Sequence, residues 1–295
     1  ESSVTKAPVG AFSMAMVAGE TSGDLLAGLL MQGIKVQWPH ANLYGIGGPR
    51  MQSHGFNALW PSDKLAVRGY VEVLRHYREI VGIRNQLKTQ LLAKPPHVFV
   101  GVDAPDFNLD LERDLKNAGI PTVHFVCPSI WAWRADRIEK IKQSVDHVLC
   151  IFPFEVDLLH AHGIDATYVG HPLAQVIPMH PDTLKARHDL KLDPDRPVVA
   201  LLPGSRESEI TYLAERFFQT ANLLFQQQPN LQFVLPAMPA MKGRIENIRN
   251  QVGASHVQIL SGQSHAALAA CDVTLIASGT ATLEAALFKK PMVIA

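Results

Sequence analysis

Cysteine is scarce in this chain. Cys127, Cys150 and Cys271 are the three in 295 residues, far apart, in apolar surroundings and with no CxxC spacing. That excludes a disulfide framework or a zinc ribbon and reads as reduced core thiols. Metal-ligand spacing is missing too: the thirteen histidines are scattered, with no HExxH, so no metal is expected. Net charge is absent. Lys+Arg and Asp+Glu number 27 each, so no bulk field draws the chain to nucleic acid, and any attraction for anions must be local. No apolar run reaches the about 20 residues that cross a bilayer. The apolar stretch 7–18 lacks a basic lead, and Gly19-Glu20-Thr21-Ser22-Gly23-Asp24 follows it like a strand-to-helix turn. It is read as a first strand, and the protein as cytoplasmic.

What is present is alternation. Short apolar runs at 13–18, 42–46, 97–102, 122–126, 147–151 and 167–169 are separated by helical patterns such as 24–37, 77–92 and 109–118. The runs are continuous rather than period-two, as in a parallel sheet covered on both faces. After Gly170-His171-Pro172 the pattern breaks, and residues 178–197 hold four prolines. A second series follows, with strands at 198–202, 232–235, 257–260, 273–277 and from 292, and helices between them. The expected fold is α/β, two Rossmann-like domains facing a cleft: an N-terminal domain over 1–177, a linker over 178–197 and a C-terminal domain over 198–295. Ligands of such folds sit beyond the carboxyl ends of the strands, so the residues just after each strand are the candidates for chemistry.

Two loops in the second half suit a nucleotide diphosphate. Gly204, Ser205 and Arg206 follow a strand and precede a helix. Backbone N–H groups there attract anions, and arginine adds a two-pronged donor; an N-capping turn with a solvated arginine is the other reading. Ser278, Gly279 and Thr280 repeat the logic, and Glu284 can cap the next helix or hold a ribose. Neither loop ends in the Gly-Lys-Ser/Thr of a P-loop. In the first half, Gly19, Ser22 and Gly23 form a turn beside the expected cleft, and Asp24 or Ser22 can cap the helix that follows. Asp103 stands where a strand exits, as a general base or as a loop aspartate bonded to backbone. Trp131 and Trp133 either stack on a sugar or acyl chain or wedge the loop against the sheet. Residues 64–84 mix Leu65, Val67, Val71, Val73 and Leu74 with five basic residues. That is a membrane-surface segment or a core-facing helix with a solvated rim. A DxD occurs at Asp193-Pro194-Asp195, where proline marks it as a turn.

Eight motifs in order carry a resemblance: VAGETSGD (17–24), GIGGPRM (45–51), VGVDAPDFN (100–108), PSIWAWR (128–134), FPFE (152–155), VGHPL (169–173), LLPGSRESE (201–209) and ASGTATLE (277–284). Together they resemble the lipid-A-disaccharide synthases. The resemblance implies a GT-B glycosyltransferase that joins UDP-2,3-diacylglucosamine to 2,3-diacylglucosamine 1-phosphate (lipid X), inverting the anomeric centre, without metal or cofactor. It implies Asp103 as the base, Arg206 on the diphosphate, and Ser278, Thr280 and Glu284 around the nucleotide. Gly19, Ser22 and Gly23 would face the reaction centre, and residues 64–84 the inner leaflet of the inner membrane. It also implies a homodimer exchanging C-terminal segments, and a C-terminal domain that is incomplete where the sequence stops. Rival readings are another GT-B UDP-N-acetylglucosamine transferase or epimerase, and a nucleotide-sugar-binding protein without turnover.

Overall fold

The structure, a computed structural model, describes residues 12–65, 70–128 and 135–295. The chain divides into two compact units, residues 1–172 and 173–295. The first unit holds strands β1 (Ser13–Ala18), β2 (Asn42–Gly47), β3 (Asn57–Pro61), β4 (Val98–Val102), β5 (Thr122–Phe125), β6 (His147–Cys150) and β7 (Ala166–Tyr168). They form one parallel sheet in the order 3-2-1-4-5-6-7. The second unit holds β8 (Val198–Leu202), β9 (Gln232–Ala237), β10 (Val257–Ser261), β11 (Val273–Ile276) and β12 (Met292–Ile294), parallel in the order 10-9-8-11-12.

The unbroken apolar runs follow from burial on two faces. Along β1, Met14, Met16 and Ala18 pack with Leu26, Ala27, Met31 and Ile34 of the helix Glu20–Gln37, whereas Ala15 and Val17 pack on the opposite side. There they meet Ile83, Leu87 and Leu91 of the helix Tyr70–Ala93, and Phe107, Leu111 and Leu115 of the helix Pro105–Asn117. Each large side chain so buried contributes about 1.5–3 kcal/mol. In the second unit, Val199 and Leu201 pack on Ile210, Ala214, Phe217 and Phe218 of the helix Glu207–Gln227.

Residues 178–197 include the helix Thr183–Asp189, which is fixed to the second unit by one buried arginine. Arg187 donates to the Ala270 carbonyl at 3.0 Å, the Pro194 carbonyl at 2.7 Å and Asp272 Oδ2 at 2.8 Å.

Asp24 does not cap its own helix. That helix begins at Glu20, one turn earlier than the pattern predicts, and Asp24 lies inside it, 2% exposed. Its carboxylate instead accepts the N–H groups of Gly48 at 2.9 Å, Arg50 at 2.9 Å and Met51 at 3.0 Å. It thus caps the short helix Pro49–Ser53 that follows β2. A Cβ at position 48 would lie 2.6 Å from Asp24 Oδ2, so this contact requires glycine there. Gly47, the last residue of β2, and Gly48 are both required by close packing. Asp24→Ala strands three N–H groups and is expected to lower unfolding stability by about 2–3 kcal/mol, measured by urea denaturation.

Candidate active site

In each sheet the strand order reverses once, between β1 and β4 and between β8 and β11. Crevices open at such switch points. The four loops that leave these strands begin at Gly19, Asp103, Pro203 and Ala277, and they hold most of the residues singled out in the sequence.

In the first unit, Ala18 and Val102 are register partners, so Gly19 and Asp103 leave the sheet side by side. A Cβ built on Gly19 would stand 3.3 Å from Ala104 Cβ and 3.5 Å from Leu65 Cβ. Gly23, in the first turn of its helix, lies against β1 and β4, where a Cβ would stand 3.6 Å from the Val102 carbonyl and 3.7 Å from Ala18 Cβ, an ordinary contact. Asp103 and Ala104 both adopt left-handed backbone, φ 51° and 44°. Aspartate tolerates that region, whereas alanine pays roughly 1–2 kcal/mol. The surroundings enforce it. Asp103 N–H donates to the Phe125 carbonyl at 2.9 Å, and buried Asn108 Nδ2 donates to the Asp103 carbonyl at 2.8 Å. The Asp103 side chain is half-buried at the carboxyl end of β4.

Behind this loop lies a buried ion pair that sequence reasoning missed. Glu112 Oε1 and His124 Nδ1 are 2.8 Å apart, and both residues are 0% exposed. Gly101 makes room for it, because a Cβ there would overlap Glu112 Oε1. Burial opposes a charged imidazole, but the Glu112 carboxylate, with a further contribution from Asp103, outweighs it and raises His124 above its ordinary value. The same burial raises Glu112. These two shifts compete for one proton. His124 holds the proton, since the Glu112 carboxylate accepts from it and the Asp103 charge adds to the attraction. The only sequence signal was a glycine mid-strand.

In the second unit, Ala277 N–H donates to the Leu202 carbonyl at 2.8 Å, so the loops after β8 and β11 start together. Gly204 turns the first with φ 115°, and Ser205 and Arg206 are exposed. The N–H groups of Ser205 and Arg206 are not open: both donate to Glu209 Oε2, at 2.9 and 3.0 Å. In the second loop, Ser278 and Gly279 are exposed, and Gly279 caps a helix running Thr280–Leu287. Glu284 falls in its second turn, not its first, which removes the capping role. Its Oε2 lies 2.6 Å from His265 Nε2, and His265 packs edge-on against Phe288. His265, from the helix Ser264–Ala270, is a partner of Glu284 that nothing in the sequence marked.

Among the residues assigned to acyl or membrane contact, Leu65 is half-buried against the first core. Val71, Val73 and Leu74 belong to the helix Tyr70–Ala93. Val67, Trp131 and Trp133 lie outside the described residues. Further along that helix, Arg84 pairs with Asp110 at 3.1 Å and Lys88 with Asp114 at 3.0 Å. Among the described residues no helix is long and apolar enough to cross a membrane. An open groove of about 670 Å³ lies between the helices Glu207–Gln227 and Lys242–Val252, lined by Thr211, Glu215 and Arg244. No strand-end residue lines it.

The profile of the lipid-A-disaccharide synthetase family matches residues 14–295. The chain belongs to the lipid-A-disaccharide synthetase family. A lipid-A-disaccharide synthase from Albidiferax ferrireducens is 65% identical over 284 residues, 96% of this chain and 73% of the relative. One from Verminephrobacter eiseniae is 60% identical over the same shares. Among solved structures, a UDP-GlcNAc 2-epimerase from Neisseria meningitidis bound to UDP-GlcNAc superposes with TM-score 0.69 at 11% identity, over 96% of this chain and 82% of that one. The glycosyltransferase of kitacinnamycin gives 0.59 at 16%, over 97% and 80%. At such identities the likeness establishes the fold alone: this member of the synthetase family has the GT-B architecture of two Rossmann-like units.

Proposed function

We propose that the chain joins UDP-2,3-diacylglucosamine to 2,3-diacylglucosamine 1-phosphate by a single inverting displacement. The family makes the chain a glycosyltransferase that builds the lipid A disaccharide. The observation that carries the mechanism is Asp103, held at the switch point of the first sheet by backbone that its neighbours force into the left-handed region. Its carboxylate takes the proton of the acceptor 6-hydroxyl as that oxygen attacks the donor anomeric carbon. The bond from that carbon to the UDP oxygen breaks, and negative charge grows on the diphosphate. Arg206, with the helix start at Thr280, stabilises that charge. Glu284, fixed by His265, is left with a second oxygen for the ribose hydroxyls.

No metal is needed in this scheme. The Asp195 N–H donates to Asp193 Oδ1 at 2.9 Å, so this pair forms a turn. The acyl chains direct the protein to the cytoplasmic face of the membrane, with residues 64–84 as the contact. Co-sedimentation with anionic vesicles that is lost in high salt supports this, and no sedimentation refutes it.

The decisive assay incubates the protein with the two acylated substrates and follows products by mass spectrometry. Disaccharide 1-phosphate and UDP are expected. Turnover of unacylated UDP-GlcNAc alone would place the chain with the epimerases instead. Arg206→Ala is expected to raise the dissociation constant for UDP by about 10–100-fold; an unchanged constant by calorimetry removes Arg206 from the diphosphate.

A further inference from the structure

Two of the thiols that sequence spacing set apart come together in the fold. Cys127 follows β5 by two residues, Cys150 ends β6, and Glu155 sits in the helix Pro153–His160 that β6 leads into. The two Sγ atoms and a Glu155 carboxylate oxygen all lie within 4.8 Å of one another. The three residues are 6%, 0% and 3% exposed.

A buried carboxylate ordinarily has a cation or a metal beside it. Among the described residues no lysine, arginine or histidine pairs with Glu155. The Phe152 N–H donates to its Oε2 at 3.3 Å. The backbone leading into the cluster is strained as well. Val126, immediately before Cys127, has φ 77°, held there by its N–H to the Leu149 carbonyl at 3.0 Å. A β-branched residue in the left-handed region is a rare outlier, and such outliers concentrate at functional sites.

We infer that Cys127, Cys150 and Glu155 form a binding site for a zinc-class divalent cation. Two thiolates and a carboxylate suit a borderline-soft ion that favours four-coordinate tetrahedral geometry. The fourth position falls to water or to the Pro128 carbonyl, which accepts from the Cys127 thiol at 3.4 Å. Binding forms two metal–sulfur bonds and one metal–oxygen bond and releases the thiol protons, with no change of redox state. The ion would tie the ends of β5 and β6 together. It would also anchor the chain at Pro128, directly before the segment that carries Trp131 and Trp133. Sequence spacing missed the site because the ligands come from two neighbouring strand ends and not from one CxxC turn.

The test uses the whole chain without a histidine tag, expressed with zinc in the medium and purified without chelator. Stoichiometric zinc is expected by elemental analysis. After stripping, titration with cobalt(II) should give a near-ultraviolet thiolate-to-metal band that saturates at an equimolar ratio. Cys271→Ser should keep the band, and Cys150→Ala and Glu155→Gln should abolish or weaken it. If either variant fails to fold, the wild-type titration still decides. Absence of both zinc and band in folded wild-type protein overturns the site. So does a thiol count in denaturant that falls short of all three cysteines because Cys127 and Cys150 have formed a disulfide.

Discussion

Asp103→Asn is expected to lower turnover by between about 10² and 10⁴-fold and to leave UDP-sugar affinity close to that of the wild type. Asparagine is nearly isosteric and shares aspartate's tolerance of left-handed backbone. The bonds that hold the loop use the main-chain N–H and carbonyl of residue 103, so they survive the change. What disappears is the proton acceptor, together with one of the negative charges that keep the proton on His124. Single-turnover kinetics with pre-bound donor should therefore show a slow chemical step, while calorimetry shows donor binding intact. Equal losses in both would mean that Asp103 orders the loop, and the base would have to be sought elsewhere.

His124→Ala is expected to lower unfolding stability by about 3–5 kcal/mol. The imidazole and Glu112 are fully buried, so removing one partner leaves a carboxylate in the core without its counter-charge. A double replacement, Glu112→Leu with His124→Phe, should cost less than the single change, because no charge remains to be solvated. The pair also sets a pH dependence. His124 is raised in the folded state, so its contribution is fully present below the unfolded histidine value and is lost as pH rises through the folded one. Melting temperature should accordingly fall from neutral to mildly alkaline pH, and Glu112→Gln should flatten that fall. A wild-type profile without the decline would show that the proton is not held.

The strands were legible because a two-faced parallel sheet needs unbroken apolar runs, and all but one were found within a residue or two. The exception, Asn57–Pro61, alternates between exposed and half-buried positions at the sheet edge and ends in proline, so it carries no such run. Helix starts were placed too late at Glu20 and Pro105, because these helices begin inside polar motifs ahead of the apolar periodicity that reveals them, and at Tyr70, where apolar and basic residues are mixed. At the site, the loops after strands were readable from chain order alone. Partners distant in sequence were not: Asp24 with Gly48, Glu112 with His124, His265 with Glu284, and Cys127 with Cys150 meet only through tertiary contact. Local propensity holds no record of such pairs.

The carboxylate that grips the amides after β2 couples the motifs at 17–24 and 45–51 into one structural unit. A longer or neutral side chain at 24, or any side chain at 48, spoils the same grip. A chimera that imports one of these motifs from a distant homologue must bring the other with it, and graft boundaries between them are the wrong place to cut.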